Sequence, residues 1–182
     1  MKKFLLLAIA FIAFQTSFAQ TFAKGDTFVE GTVKFVTGDA DKTFNFNPSV
    51  GYFATEKIAV GVELNTQSTK NAAGAKTSDS FGVGAFARCY FLSIGDHLRV
   101  YSQLGLSAND DKATDVKSTD LALGLGANYF ITKNLSLTMK VADLAKFSSV
   151  KTGGVSSSET TVGFSGVTNP LNLGTFGLNY RF

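Results

Sequence analysis

The chain has 182 residues, 45% of them hydrophobic, with 18 Phe, 18 Gly, one Cys and one His. Its 17 Lys and Arg stand against 14 Asp and Glu; setting aside Lys2 and Lys3 leaves 15 against 14, a near-neutral balance with no clustered basic face for nucleic acid. A single cysteine excludes an internal disulfide framework, and about 160 residues beyond the leader suit one domain.

The opening MKKFLLLAIAFIAFQTSFAQ sets two lysines before an apolar run from Phe4 to Phe14 and a small-x-small site at Ser17-Phe18-Ala19. It reads as a secretory signal peptide, residues 1–19, cut after Ala19 and leaving 20–182 as the mature domain. The competing reading is an uncleaved anchor, although the run is shorter than the roughly 20 apolar residues that span a bilayer. Gln20, not a cysteine, stands directly after the cleavage site, so there is no place for a lipid anchor there.

Beyond the leader the apolar residues are dispersed at period 2, the spacing of strands with two unlike faces. One face reads Val29, Gly31, Val33, Phe35, then Phe44, Phe46, Pro48, Val50, Tyr52, then Ile58, Val60, Val62, Leu64. It continues through Phe81 to Phe91, Leu98 to Leu106, Leu121 to Ile131, Leu135 to Val141 and Phe176 to Phe182 without a charge. The other face is small and polar, with Gly61, Glu63, Gly82, Gly84, Phe86, Arg88, Tyr101, Gly105, Gly124 and Gly126 among its members. Glycine weakens strands, so its repetition implies that backbones or bulky neighbours crowd that face.

A motif recurs: a Tyr-Phe pair at 52–53, 90–91 and 129–130 precedes a short polar turn, and NYRF ends the chain. Eight strands of about 10 residues match the length that crosses a hydrocarbon core at a tilt. Lipid offers no hydrogen-bond partners, so a spanning sheet must close on itself, and eight strands leave room inside only for side chains. The predicted fold is all-β: a closed, eight-stranded, antiparallel up-and-down transmembrane β-barrel with its aromatic pairs as a periplasmic girdle. Short turns at 54–57, 92–97 and 132–134 would face the periplasm, and longer polar loops around 66–78, 107–118 and 148–160 the exterior. Pro48 predicts a bulge. Residues 161–173 extend the last hairpin or form a flap, with a register change before Phe176.

These features, with the segments GVGAFARCYF and FGLNYRF, make the chain resemble the OmpX-like and OmpA-transmembrane type of small outer-membrane β-barrel over nearly all its mature length. The resemblance implies an exported monomer in the outer membrane of a Gram-negative bacterium, in contact with outer-membrane lipid and lipopolysaccharide. It also implies that Phe176, Leu178, Tyr180 and Phe182 form the terminal signal read by the barrel assembly machinery, to which an apolar strand edge offers backbone pairing.

Candidate chemistry is sparse. His97, the sole histidine, follows Gly95-Asp96 in a periplasmic turn, away from any serine or aspartate it would need for hydrolysis near the outer leaflet, so no enzymatic activity and no catalytic residue are assigned. The acids of GDADK and NDDKATD lack the full twelve-residue calcium-loop order, GLGANYF lacks the third glycine and the helix of a dinucleotide fingerprint, and no cofactor or metal is expected. Cys89 reads as an inert, lipid-facing group. The lumen face carries Glu30, Lys34, Glu63, Arg88, Arg99, Asp120, Lys140 and Arg181, charges that must pair in so narrow a space; Glu30 and Arg181, on the first and last strands, are the expected pair across the closing seam. The function read from this is structural or adhesive, through the surface loops. The alternatives are a narrow pore for ions or small solutes, or a soluble periplasmic barrel holding an apolar ligand.

Overall fold

The computed structural model describes residues 22–37, 41–152, 155–165 and 175–182; the proposed signal peptide lies outside them. Among the described residues nine strands follow in chain order: β1 Thr27–Thr37, β2 Asp41–Phe53, β3 Ile58–Asn71, β4 Lys76–Ile94, β5 Leu98–Asp111, β6 Val116–Phe130, β7 Leu135–Thr152, β8 Val155–Ser165 and β9 Thr175–Arg181. All pairings are antiparallel. Consecutive strands pair from β1 to β7, and β9 then lies between β7 and β1, so that Leu135 meets Tyr180 and Phe28 meets Arg181. The ring is therefore closed by eight strands. β8 pairs with the upper part of β7, from Asp143 to Thr152, so β8 and β9 together flank the full length of β7.

Side-chain parity decides which face meets lipid. Val50, Val60, Val62, Leu64, Val83, Leu104, Leu106, Leu123, Leu137 and Leu178 all point outward and are exposed, whereas Glu30, Ser49, Arg88, Asn128, Ser136, Thr138 and Asn179 are buried inside. A polar interior beneath an apolar exterior rules out the soluble barrel with an apolar cavity. The outward apolar band runs from Tyr52 to Phe44 on β2 and from Phe91 to Phe81 on β4. At about 3.4 Å per residue and the usual tilt it is about 21 to 26 Å high, matching the apolar belt of an outer-membrane barrel.

Inward glycines make room for inward aromatic rings. Phe28 is the direct cross-strand partner of Gly51, Phe86 of Gly61 and Tyr101 of Gly126. In each case the ring occupies the place where a Cβ on the glycine would stand, so the expected crowding is met at Gly61 and Gly126, whereas nothing lies within 4 Å of such a Cβ at Gly105. Gly126→Ala is expected to cost about 1 to 3 kcal/mol through overpacking, and far less in a Tyr101→Leu background, where the obstructing ring atoms are gone. Gly61→Ala should stay costly with Phe86→Leu, because the Val50 carbonyl also blocks it. Urea unfolding of the four single and double variants checks this; equal relief at both sites would refute it.

Four expectations are corrected. The outer connections are not long loops: β3, β4, β5, β6 and β7 run on to Asn71, Lys76, Asp111, Val116 and Thr152, leaving only residues 72–75, 112–115 and 153–154 between paired strands. Ser- and Thr-rich strand with two polar faces resembles loop in sequence, because above the lipid neither face needs to be apolar. Pro48 causes no bulge. It pairs in register with Gly31, and the β2–β3 register is the same at Phe46–Thr66 and Ser49–Glu63, so the proline costs the ladder locally without shifting it. The irregularities fall instead at Thr69/Lys70, at Tyr90/Leu92, twice in the β6–β7 pairing and at Asp143/Ala145 in the β7–β8 pairing. Those in β7 bring Val141, expected outside, into the lining of the bore.

The girdle is the fourth correction. Adjacent residues of a strand point to opposite faces, so each Tyr-Phe pair splits: Tyr52, Phe91 and Tyr129 face out, while Phe53, Tyr90 and Phe130 are buried inside. Of the stretch 161–173, residues 161–165 belong to β8 and extend the last hairpin; the remainder, with Leu171 and Leu173, lies outside the described residues.

Candidate functional site

The interior has two storeys. At the end bearing the turns at 54–57, 95–97 and 131–134, Phe22, Phe28, Phe53, Ala59, Phe86, Tyr90, Tyr101 and Phe130 form one buried cluster. Phe22 precedes β1 and is turned under the barrel by residues 23–26. The Ala23 amide donates to Asp26 Oδ2 at 3.0 Å, the Gly25 amide donates to the Phe53 carbonyl at 2.9 Å, and Gly25 has φ 103°, a conformation that favours glycine. The Phe22 ring stacks on Phe53 at 4.2 Å and lies 4.5 Å from Tyr90 and 5.6 Å from Phe130. Arg181, on the closing strand, holds this turn from above: its guanidinium lies 5.6 Å from the Phe22 ring and donates to Asp26 Oδ2 at 3.2 Å.

On the plug sits a buried ion pair. Arg88 is 2% exposed and Glu30 6%. Arg88 Nη1 and Nη2 donate to the two Glu30 oxygens at 3.0 and 2.9 Å, Nε donates to Gln103 Oε1 at 3.0 Å, and Asn179 Nδ2 donates to Glu30 at 3.0 Å. The guanidinium also lies over the Tyr101 ring at 4.2 Å and near the Phe86 ring at 5.2 Å. Bidentate geometry and extra hydrogen bonds are what a desolvated pair requires. Glu30 thus pairs with Arg88 on β4, and Arg181 with Asp26; the expected Glu30–Arg181 pair does not form. Arg181 lies two residues, one inward position, too close to the short-turn end, since its ladder partner is Phe28, and Asn179 stands opposite Glu30 instead.

Above the pair the bore widens into a polar well of about 540 Å³ that reaches from Arg88 and Tyr101 to Ser78, Asp111 and Val116 by the hairpin ends. Glu30, Lys34, Glu63, Arg88, Asp120 and Lys140 all line it. Lys140 pairs with Asp143 at 2.9 Å, and Lys146 with Asp120 at 3.4 Å; Asp120 also accepts from Ser148. Arg99 sits lower, at the β4–β5 turn, where it donates to the Gly95 carbonyl at 3.1 Å. His97 lies at that same end, bonded through Nδ1 to the Phe130 carbonyl at 3.0 Å and stacked on Tyr129. Cys89 is exposed on the outer face.

Sequence reading missed Phe22, Asn179, Asp26 and the inward role of Tyr90, and it set Gln103 on the lumen face without giving it a role. For Tyr90 the signal was present, since it shares strand parity with Arg88. Phe22 precedes the first strand, and periodicity says nothing about such a residue.

A closed eight-stranded sheet with an apolar exterior and a salt-bridged, plugged interior defines a small transmembrane β-barrel. A family model described as the outer membrane protein beta-barrel domain matches residues 4–182, and the chain belongs to that family. Among solved structures, it is similar to the outer membrane protein OprG of Pseudomonas aeruginosa, with 15% identity and TM-score 0.50 over 91% of this chain and 99% of that one. It is also similar to the N-terminal β-barrel domain of OprF from Pseudomonas aeruginosa, with 14% identity and TM-score 0.52 over 90% of this chain and all of the other, 100%. At that identity the likeness is one of fold. No curated protein sequence matches the chain.

Proposed function

We propose that this outer-membrane barrel is non-conducting and non-enzymatic, and that it works as a structural element whose raised hairpins form a contact surface outside the cell. The observation that carries the reading is the blind interior: the Phe22–Phe53–Tyr90–Phe130 plug and the Arg88–Glu30 pair stand between the polar well and the periplasm. Export would use a signal peptide cut after Ala19. Phe176, Leu178, Tyr180 and Phe182 would serve as the assembly signal during insertion. The exposure of all four on the outer wall at the closing strand supports that role. A monomer bathed in lipid and lipopolysaccharide fits an outer face that is apolar around the ring.

Purified protein reconstituted in a planar bilayer is expected to show no discrete current steps. Regular steps from the unaltered chain would overturn the closed reading in favour of a narrow pore.

A further inference from the structure

We propose that the well is a binding site for a neutral, polyhydroxylated ligand of mono- to disaccharide size that enters from the extracellular end. The volume, about 540 Å³, lies within the range of small-molecule sites, but the lining is polar, which narrows the ligand chemistry. Once the three ion pairs are set aside, the lining carries Lys34 against Glu63 and Asp111. One positive and two negative charges leave a net of one negative. That disfavours anions, while the lysine side chains disfavour a bare cation.

What the walls offer instead is hydrogen-bonding groups that both donate and accept. On β2 and β3, Asn45 stands directly across the ladder from Gln67, and Asn47 and Asn65 follow one inward position lower. These four carboxamides form a quadrilateral of about 5 Å by 7 Å, from cross-strand and along-strand spacing. Each presents an N–H donor and a carbonyl acceptor in one plane, the complement of adjacent hydroxyl groups on a sugar ring. Asn45 Oδ1 is buried without a hydrogen-bond partner among the described residues. A buried orphan acceptor is costly, and a ligand hydroxyl would satisfy it. Hydroxyls of Ser78, Ser107 and Ser118 line the other side.

The test is titration calorimetry on nanodisc-embedded protein with maltose, lactose and sucrose, and with zwitterionic glycine and anionic inorganic phosphate as comparators. At least one disaccharide is expected to bind with millimolar or better affinity. Asn45→Leu is expected to weaken it about tenfold, the loss of one or two hydrogen bonds, with unchanged heat-modifiable gel migration. Gln67→Ala, at a more exposed position of the same wall, repeats the measurement should Asn45→Leu fail to fold. No saccharide binding, binding indifferent to both variants, or tighter binding of glycine or phosphate would each overturn the proposal. The conductance measurement is independent of these outcomes, so a closed barrel without a sugar site remains distinguishable.

Discussion

Arg88→Met is expected to destabilise the barrel by about 3 to 5 kcal/mol, because it strands the Glu30 carboxylate without its charge partner in a desolvated site. Asn179 would remain as a donor, but one amide does not replace a bidentate guanidinium. Glu30→Gln alone should cost less, since the neutral amide can still meet Asn179 and Gln103 remains on Arg88. The informative variant is the double one, Arg88→Met with Glu30→Leu, which replaces the pair by apolar groups beside Phe28, Phe86 and Tyr101 and should recover most of the loss. Urea titration of reconstituted protein, read by the gel shift between folded and unfolded forms, measures all three. Additive losses would mean that the pair is not a coupled unit.

Leu104→Arg is expected to cost about 2 to 4 kcal/mol, the depth-dependent penalty of a cation on the lipid face at mid-bilayer. Leu104 is outward and exposed, paired with Ala87 on one side and Leu123 on the other, in the middle of the apolar band. Val155→Arg supplies the contrast. Val155 is 73% exposed, more than Leu104 at 49%, yet it opens β8 at the end of the β7–β8 hairpin, beyond the band. Its substitution should fall within about 0.5 kcal/mol of neutral. Equal costs at the two positions would mean that the band is misplaced.

Period-2 alternation made the exterior legible before any coordinates, because a one-residue slip would turn every apolar side chain into the bore. The same logic anticipated the crowding at Gly61 and Gly126. It failed where alternation carries no information. Polar strand above the lipid has the composition of loop, so the reach of β3 to β8 went unread. Two irregularities in β7 reversed the parity expected for Val141. The partner of Glu30 depended on the relative height of residues on strands distant in sequence, and two residues of stagger, one inward position, exchanged Arg181 for Asn179. The Tyr-Phe pairs were misread by treating two adjacent residues as one feature, although strand geometry sends them apart.

The first and last strands meet at the plugged mouth: the Phe182 amide donates to the Thr27 carbonyl at 2.9 Å, and Arg181 clasps the turn that carries Phe22. The seam therefore joins the first strand made to the last. A chain cut short in synthesis lacks β9 and leaves two unzipped borders, each a row of bare backbone groups. Closure is thus written into the architecture: only a chain that includes β9 hides its edges, and one without it advertises them to whatever scavenges open strands.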